Sequence, residues 1–88
     1  MTNRMIKKLI DAQDYNEELR FGVYGKGINI SITMIPDIME YGTWFEITDK
    51  ERGGDVMICF DIDSDVAYDE IEELYTFSIG DLTVEIGE

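Results

Sequence analysis

From Asp61 to Glu73 the sequence reads DIDSDVAYDEIEE, the stretch that decides how the fold is interpreted. It holds seven carboxylates in 13 positions and no basic residue: Asp61, Asp63, Asp65, Asp69, Glu70, Glu72 and Glu73. The imbalance extends further, because residues 1–52 carry nine acids and seven bases whereas residues 53–88 carry eleven acids and no base. Concentrated charge of one sign opposes a compact fold by self-repulsion. We therefore expect these acids to have a role outside the core.

The stretch itself predicts an acidic helix over residues 66–75, with Ser64 or Asp65 as its N-terminal cap. Four apolar residues recur in it at i, i+4, i+7 and i+8, the spacing of one core-facing stripe; they are Ala67, Ile71, Leu74 and Tyr75. Residues 55–61 before it alternate apolar side chains with others, which is typical of a strand. The sequence thus predicts a strand that leads directly into an acidic helix.

The N-terminal half predicts a helix followed by strands. Residues 3–13 carry an apolar face at helical spacing, formed by Met5, Ile6, Leu9, Ile10 and Ala12. Residues 19–23 and 28–34 alternate apolar with polar or small residues around a glycine-containing turn, the pattern of a hairpin. Residues 37–42 are interpreted as a link that leads to a strand at 43–48.

The chain closes with a predicted hairpin around Gly80-Asp81, in which Phe77 faces Val84 and Ile79 faces Leu82. Together the elements predict a single acidic α+β domain over residues 1–88. Its parts are an N-terminal helix, an antiparallel sheet of four to six strands, and one acidic helix followed by a C-terminal hairpin.

The composition argues against an enzyme. The chain has no histidine, the commonest general base, and its glycines match neither a Walker loop nor a dinucleotide loop. We therefore expect no cofactor. Cys59 is the only cysteine, and its position within a predicted strand favours a core residue over a reactive thiol. A single cysteine allows no disulfide within the chain and fits a reducing compartment such as the cytoplasm. No apolar run reaches the roughly 20 residues of a membrane span.

One motif in the acidic stretch has the spacing of a metal site. If Asp61 is position 1, carboxylates fall at positions 1, 3, 5, 9 and 12 of a calcium-binding loop; they are Asp61, Asp63, Asp65, Asp69 and Glu72. Position 6 is a glycine in that loop and is Val66 here, and the preceding segment predicts a strand where the loop follows a helix. A calcium-binding module is an alternative hypothesis.

The preferred interpretation treats the carboxylates as an array of charges. Neighbouring residues on a helix face stand about 5–6 Å apart, close to the spacing of successive phosphates along a nucleic-acid strand. Lysines and arginines that normally bind nucleic acid would then bind this array, with a steep salt dependence. A chain of net charge −13 should itself be repelled by nucleic acid and by anionic membranes. The plain alternative is that the acids only keep a small protein soluble.

Several residues also resemble a known family. An amphipathic helix runs into Asp14-Tyr15, acids and a tyrosine stand at Asp37 and Glu40-Tyr41, and the run YDEIEELY covers residues 68–75. In this pattern the chain is similar to the small acidic phage anti-CRISPR proteins, DNA-mimic inhibitors of type II-A RNA-guided nucleases. The resemblance implies a protein that acts in the cytoplasm of an infected bacterial host. It would enter the cleft where the nuclease reads its PAM and face the arginines there.

The resemblance implies six contact residues: Asp14, Asp37, Glu40, Asp69, Glu70 and Glu72. The charge array adds Asp61, Asp63, Asp65 and Glu73 to the predicted partner-binding set. Tyr41, Trp44 and Tyr68 are candidate aromatic anchors. Two further alternatives use the same electrostatics: a mimic that inhibits a restriction enzyme, a DNA glycosylase or another CRISPR effector, and an immunity protein for a basic nuclease toxin.

Overall fold

The computed structural model describes residues 2–61 and 65–87 of the 88-residue chain. Within these ranges the chain forms one helix and eight strands, which are α1 (Thr2–Tyr15), β1 (Leu19–Gly25), β2 (Ile28–Met34), β3 (Pro36–Tyr41), β4 (Trp44–Asp49), β5 (Gly53–Asp61), β6 (Ala67–Asp69), β7 (Leu74–Ile79) and β8 (Leu82–Gly87). The strands form two antiparallel sheets, one in the order β2-β1-β8-β7-β6 and the other in the order β3-β4-β5. In the described part of the chain, no helix has the length and hydropathy of a membrane span.

Helix α1 forms where the sequence predicts a helix and buries most of the predicted face. Met5 and Leu9 are fully buried, and complete burial of such a side chain contributes about 1.5–3 kcal/mol. The helix ends at Tyr15, and the next residue, Asn16, has a positive φ of 55°. The Glu17 backbone N–H donates a 2.9 Å hydrogen bond to the Ala12 carbonyl, and together these features form a common helix C-terminal cap.

Three hydrogen bonds fix the end of α1 against the three-stranded sheet. Lys50 Nζ donates 2.7 Å hydrogen bonds to the Gln13 carbonyl and to Asn16 Oδ1, and a cation at a helix C-terminus is favoured by the helix dipole. Gln13 Oε1 accepts a 2.7 Å hydrogen bond from the backbone N–H of Ile38. Helix α1 therefore lies beside β3, an edge strand of its sheet.

The core lies between the inward faces of the two sheets, with α1 packed into the same cluster. Phe60 of β5 and Phe77 of β7 join the sheets, with 4.7 Å between their ring centroids. Phe45 of β4 stacks on Phe60 at 5.4 Å. The other buried apolar residues of the cluster are Met5, Leu9, Ala12, Leu19, Phe21, Met34, Ile47, Ile58, Tyr75, Val84 and Ile86. These contacts set which face of each sheet points outward.

The predicted α+β class is wrong, because the fold is mostly β. Residues 66–75, predicted as an acidic helix, contain the short strand β6, a turn at 70–73 and the start of β7. The Asp69 carboxylate stabilises the turn, since Oδ1 accepts hydrogen bonds from the backbone N–H groups of Ile71 (2.9 Å) and Glu72 (3.1 Å). Like charges at i, i+3 and i, i+4 also disfavour a helix here. The candidate cap Ser64 lies outside the described residues.

The predicted single sheet of four to six strands is also wrong, since the eight strands within residues 2–61 and 65–87 form two sheets, one of five strands and one of three. Residues 37–42, predicted as a link, mostly belong to strand β3. Its first residue is Pro36, and proline is tolerated at the first position of an edge strand. The last two strands do pair in the predicted register, with Phe77 opposite Val84. They follow a strand and a turn, not an acidic helix.

Candidate functional site

The first group of predicted partner-binding acids forms the acidic turn, residues 69–73, which connects β6 to β7. Glu70 and Glu72 are exposed, and Ile71 between them is 93% exposed. The Asp69 carboxylate holds the turn through its two backbone hydrogen bonds. Glu73 has a positive φ of 56°, which turns the chain into β7. The acids therefore stand at the tip of a hairpin, where the sequence predicted the surface of a helix.

The second group lies on the outward face of the three-stranded sheet, which we call the aromatic face. The strand register places on it the exposed residues Met39, Tyr41, Trp44 and Cys59. The Tyr41 and Trp44 rings stack with 4.7 Å between their centroids. Three acids share this face by register: Asp37, Glu46 and Asp61. Exposed aromatic and methionine side chains therefore stand beside carboxylates.

The remaining predicted site acids belong to neither group. Asp14 is exposed on the last turn of α1, and Glu40 is exposed on β3 but alternates to the opposite side from Tyr41. Asp65 is exposed just before β6. Asp63 lies outside the described residues. The structure thus brings Asp37 and Asp61 onto one face, while the acidic turn gathers four of the other predicted acids.

A shallow depression of about 330 Å³ begins at the edge of the aromatic face. Its lining residues come from both sheets: Trp44, Cys59, Phe60, Asp61, Ser78, Ile79 and Gly80. Its volume is at the lower end of the roughly 300–1,000 Å³ typical of ligand pockets. An indole ring attracts a cation over its face, and Asp61 supplies a carboxylate beside it. The depression has the chemistry to accept one basic side chain.

Charge is separated across the five-stranded sheet. The strand order places β2 and β6 at opposite edges, which four strand spacings put about 19 Å apart. Residues 19–36, which span β1 and β2, contain two bases and no acid. Residues 65–73, which span β6 and the acidic turn, contain five acids and no base. One edge of the sheet is therefore acidic and the other is not.

Two bases of α1 approach the acidic edge. The Arg4 guanidinium carbon lies 4.2 Å from the centre of the Tyr68 ring, a cation–π contact worth about 0.5–1 kcal/mol at an exposed site. Lys8 and Glu73 line a common cavity of about 150 Å³. The base of the acidic turn is thus near cations. The exposed Glu70 and Glu72 stand at its tip.

A calcium-binding loop of this type is followed by a helix. Residues 66–75 form strand, turn and strand instead, which argues against the calcium hypothesis. The Asp69 carboxylate is already bonded to backbone N–H groups of the turn. Across residues 2–61 and 65–87, no three Cys, Asp or Glu side chains lie close enough together to hold a metal ion. Asp63, one of the five proposed ligands, lies outside those ranges.

Sequence reasoning missed the exposure of Cys59. The prediction of a core position is wrong, because Ile58 and Phe60 take the inward positions of β5 and Cys59 alternates outward. The alternation of β5 was visible in the sequence. The cysteine type itself favoured a core position, since cysteine is among the residues most often buried.

Tyr24 and Glu85 form a polar pair on the outer face of the five-stranded sheet, which sequence reasoning also missed. The Tyr24 hydroxyl donates a hydrogen bond to the Glu85 carboxylate. This bond, together with partial burial and the nearby negative charge, raises the pKa of Tyr24 to about 12. The alternation of Leu82, Val84 and Ile86 could have placed Glu85 outward, but the partner on β1 depends on the register.

We expect Glu85→Gln to lower the pKa of Tyr24 from about 12 toward the ordinary value of 10.0, because the carboxylate is its main cause. Because the folded-state pKa lies above the unfolded value, this bond stabilises the fold fully below pH 10. Its contribution is lost as the pH rises through about 12. An alkaline titration of tyrosinate absorbance measures the shift. Glu46→Gln on the other sheet is the control, and identical curves for wild type and Glu85→Gln would contradict the assignment.

Comparison with protein-family models, with curated proteins and with solved structures gives no match for this chain. The resemblance to anti-CRISPR proteins stays a prediction from the residues.

Proposed function

We propose that this protein is a DNA-mimic inhibitor, which binds a basic nucleic-acid-binding cleft of another protein and blocks DNA binding. The observation that carries the proposal is the separation of charge. The last 36 residues contain eleven acids and no base, and the acidic edge of the five-stranded sheet ends in an exposed turn. A surface of this kind is complementary to clustered lysine and arginine. Such clusters are typical of sites that bind nucleic acid.

The acidic turn supplies the charges that replace phosphates. Its four carboxylates lie within five consecutive residues, which concentrates negative charge at the exposed tip of the hairpin. The Asp69 hydrogen bonds to Ile71 and Glu72 hold the turn in one conformation before binding. A preformed turn loses less conformational entropy when it binds, which improves affinity.

The aromatic face supplies apolar contact beside the charges. Tyrosine, tryptophan and methionine are enriched at protein interfaces, and the first two dominate their binding energy. An arginine from the partner can enter the depression next to Trp44, stack on the indole and pair with Asp61. Asp37 and Glu46 extend the negative surface on the same face. Apolar and electrostatic contacts would act together there.

The resemblance to phage anti-CRISPR proteins indicates a type II-A RNA-guided nuclease as the target. A type II-A RNA-guided nuclease reads its PAM with paired arginines in a basic cleft. The protein would occupy that cleft in the cytoplasm of an infected host and act stoichiometrically, without a cofactor or a catalytic group. Its partner is the nuclease and not nucleic acid.

The proposal is tested by adding one equivalent of protein to a guide-loaded type II-A nuclease and measuring binding of a PAM-containing duplex by fluorescence anisotropy. DNA binding should be lost when the protein is added before the DNA and largely retained when it is added afterwards. A restriction endonuclease, a DNA glycosylase and a basic nuclease toxin are tested in parallel. Inhibition of the toxin alone would favour an immunity protein. Unchanged DNA binding by all four would contradict the proposal.

A further inference from the structure

The edge strand β2 differs from the other edges of the two sheets. An edge strand exposes unpaired backbone N–H and C=O groups, and proteins protect such edges with charges, proline, bulges or short length. Strand β3 begins at Pro36 and carries two acids, β6 is three residues long, and β5 has acids within it and at its end. Strand β2 has none of these protections: it is seven residues long, INISITM, with no charge and no proline.

Strand β2 also leaves apolar surface exposed. Ile28 and Ile30 are 40% and 57% exposed, although they lie on the inward-facing side of the sheet together with Ile32 and Met34. The core therefore covers only the Met34 end of this strand. Ile28 and Ile30 therefore form an exposed apolar strip along the β2 edge of the sheet.

From these features we propose that β2 pairs with β2 of a second copy of this chain, which joins the two five-stranded sheets into one antiparallel sheet of ten strands. Pairing all seven residues places the twofold axis at Ser31, so that Ser31 faces the partner's Ser31. Ile30 then lies opposite the partner's Ile32, and Ile28 opposite the partner's Met34. Both apolar rows fall on the same side, where each covers the exposed part of the other.

The charge distribution favours a second copy at this edge. Two molecules of net charge −13 repel each other over most of their surfaces. Residues 19–36 contain no acid, so no carboxylate lies on β1 or β2. Glu85 of β8, which lines a cavity with Ile30 and Ser31, is hydrogen-bonded to Tyr24. The acidic turn lies at the far edge of the same sheet and remains exposed. The inference is independent of the proposed function, because a dimer joined at β2 keeps both acidic edges accessible.

Salt should act on this dimer in the opposite direction from its action on binding to a basic target. The dimer contact itself is uncharged, and salt screens the repulsion between the remaining negative surfaces. Dimerisation should therefore strengthen as salt increases. Binding through the acidic turn should weaken under the same conditions, which separates the two interactions experimentally.

The test is the mass in solution, measured by light scattering after size exclusion and by sedimentation equilibrium over a range of protein and salt concentrations. Wild type should reach twice the mass of one chain. Ile30→Lys should remain at the mass of one chain, and circular dichroism should show that it is folded. Ile71→Lys makes the same chemical change at the exposed tip of the acidic turn and should dimerise like wild type.

A charge-swap pair tests the register. Ser31→Lys and Ser31→Asp place like charges against each other at the twofold axis, so each variant alone should be monomeric. Mixing the two variants should restore the dimer. A monomeric wild type at all concentrations, a dimeric Ile30→Lys, or a mixture that stays monomeric would each overturn the proposal.

Discussion

Reversing two charges of the acidic turn, by Glu70→Lys together with Glu72→Lys, should lower the affinity for the guide-loaded nuclease by at least about 100-fold. Loss of one partner from a desolvated charge pair costs about 2–5 kcal/mol, and a lysine there also opposes the basic cleft. Both side chains are exposed, so the fold should be unchanged. Isothermal titration calorimetry measures the affinity, and circular dichroism checks the fold.

The matched control separates position from net charge. Glu51→Lys together with Asp81→Lys also changes two exposed acids in turns, and each pair of reversals changes the net charge from −13 to −9. The control should bind the nuclease within a fewfold of wild type. Equal losses from the two pairs would show that total charge matters and that the acidic turn has no special place in binding.

Phe77→Ala should lower the free energy of unfolding by about 3–5 kcal/mol, the usual cost of truncating a buried phenylalanine. Phe77 is 2% exposed and contacts Phe60 across the core, so its removal leaves a cavity between the two sheets. Total stabilities are about 5–15 kcal/mol, so the variant loses a large fraction of the stability. Urea unfolding followed by circular dichroism measures the change.

Trp44→Ala is the corresponding control, because Trp44 is a larger aromatic residue on the outward face and is 37% exposed. It should cost clearly less stability than Phe77→Ala and weaken binding to the nuclease instead. If Trp44→Ala proved the more destabilising of the two, the assignment of inward and outward faces would be wrong.

The elements with a strong local pattern were predictable from the sequence. Helix α1 follows from apolar residues at helical spacing, and Met5 and Leu9 occupy the buried positions that this spacing requires. The β1–β2 hairpin follows from alternation on both sides of a turn that contains glycine. In both cases one local pattern accounts for the observed element.

The prediction of an acidic helix was wrong because the spacing of apolar residues in this stretch fits both a helix and a hairpin. Ile71 completes a helical stripe with Ala67 and Leu74, but it lies 93% exposed at the tip of a hairpin. Tyr68 and Tyr75 pair across that hairpin, with 4.7 Å between their ring centroids. Repulsion between carboxylates three and four positions apart disfavours the helix. The Asx turn at Asp69 stabilises the hairpin.

The aromatic face was only partly predictable from the sequence. Tyr41 and Trp44 were both predicted as candidate aromatic anchors. Their stacking depends on strand β3, most of which the sequence analysis interpreted as a link. The grouping of Asp37 with Asp61 depends on the pairing of three strands, which local patterns do not contain.

The affinity for the guide-loaded nuclease as a function of salt concentration tests the central claim most directly, because a carboxylate array that replaces phosphates must bind mainly by electrostatics. The logarithm of the association constant should fall steeply and linearly with the logarithm of salt concentration. The slope should be clearly shallower for Glu70→Lys with Glu72→Lys than for wild type. An affinity that does not change with salt, or an equal slope for both proteins, would contradict the claim that the acidic turn takes the place of DNA.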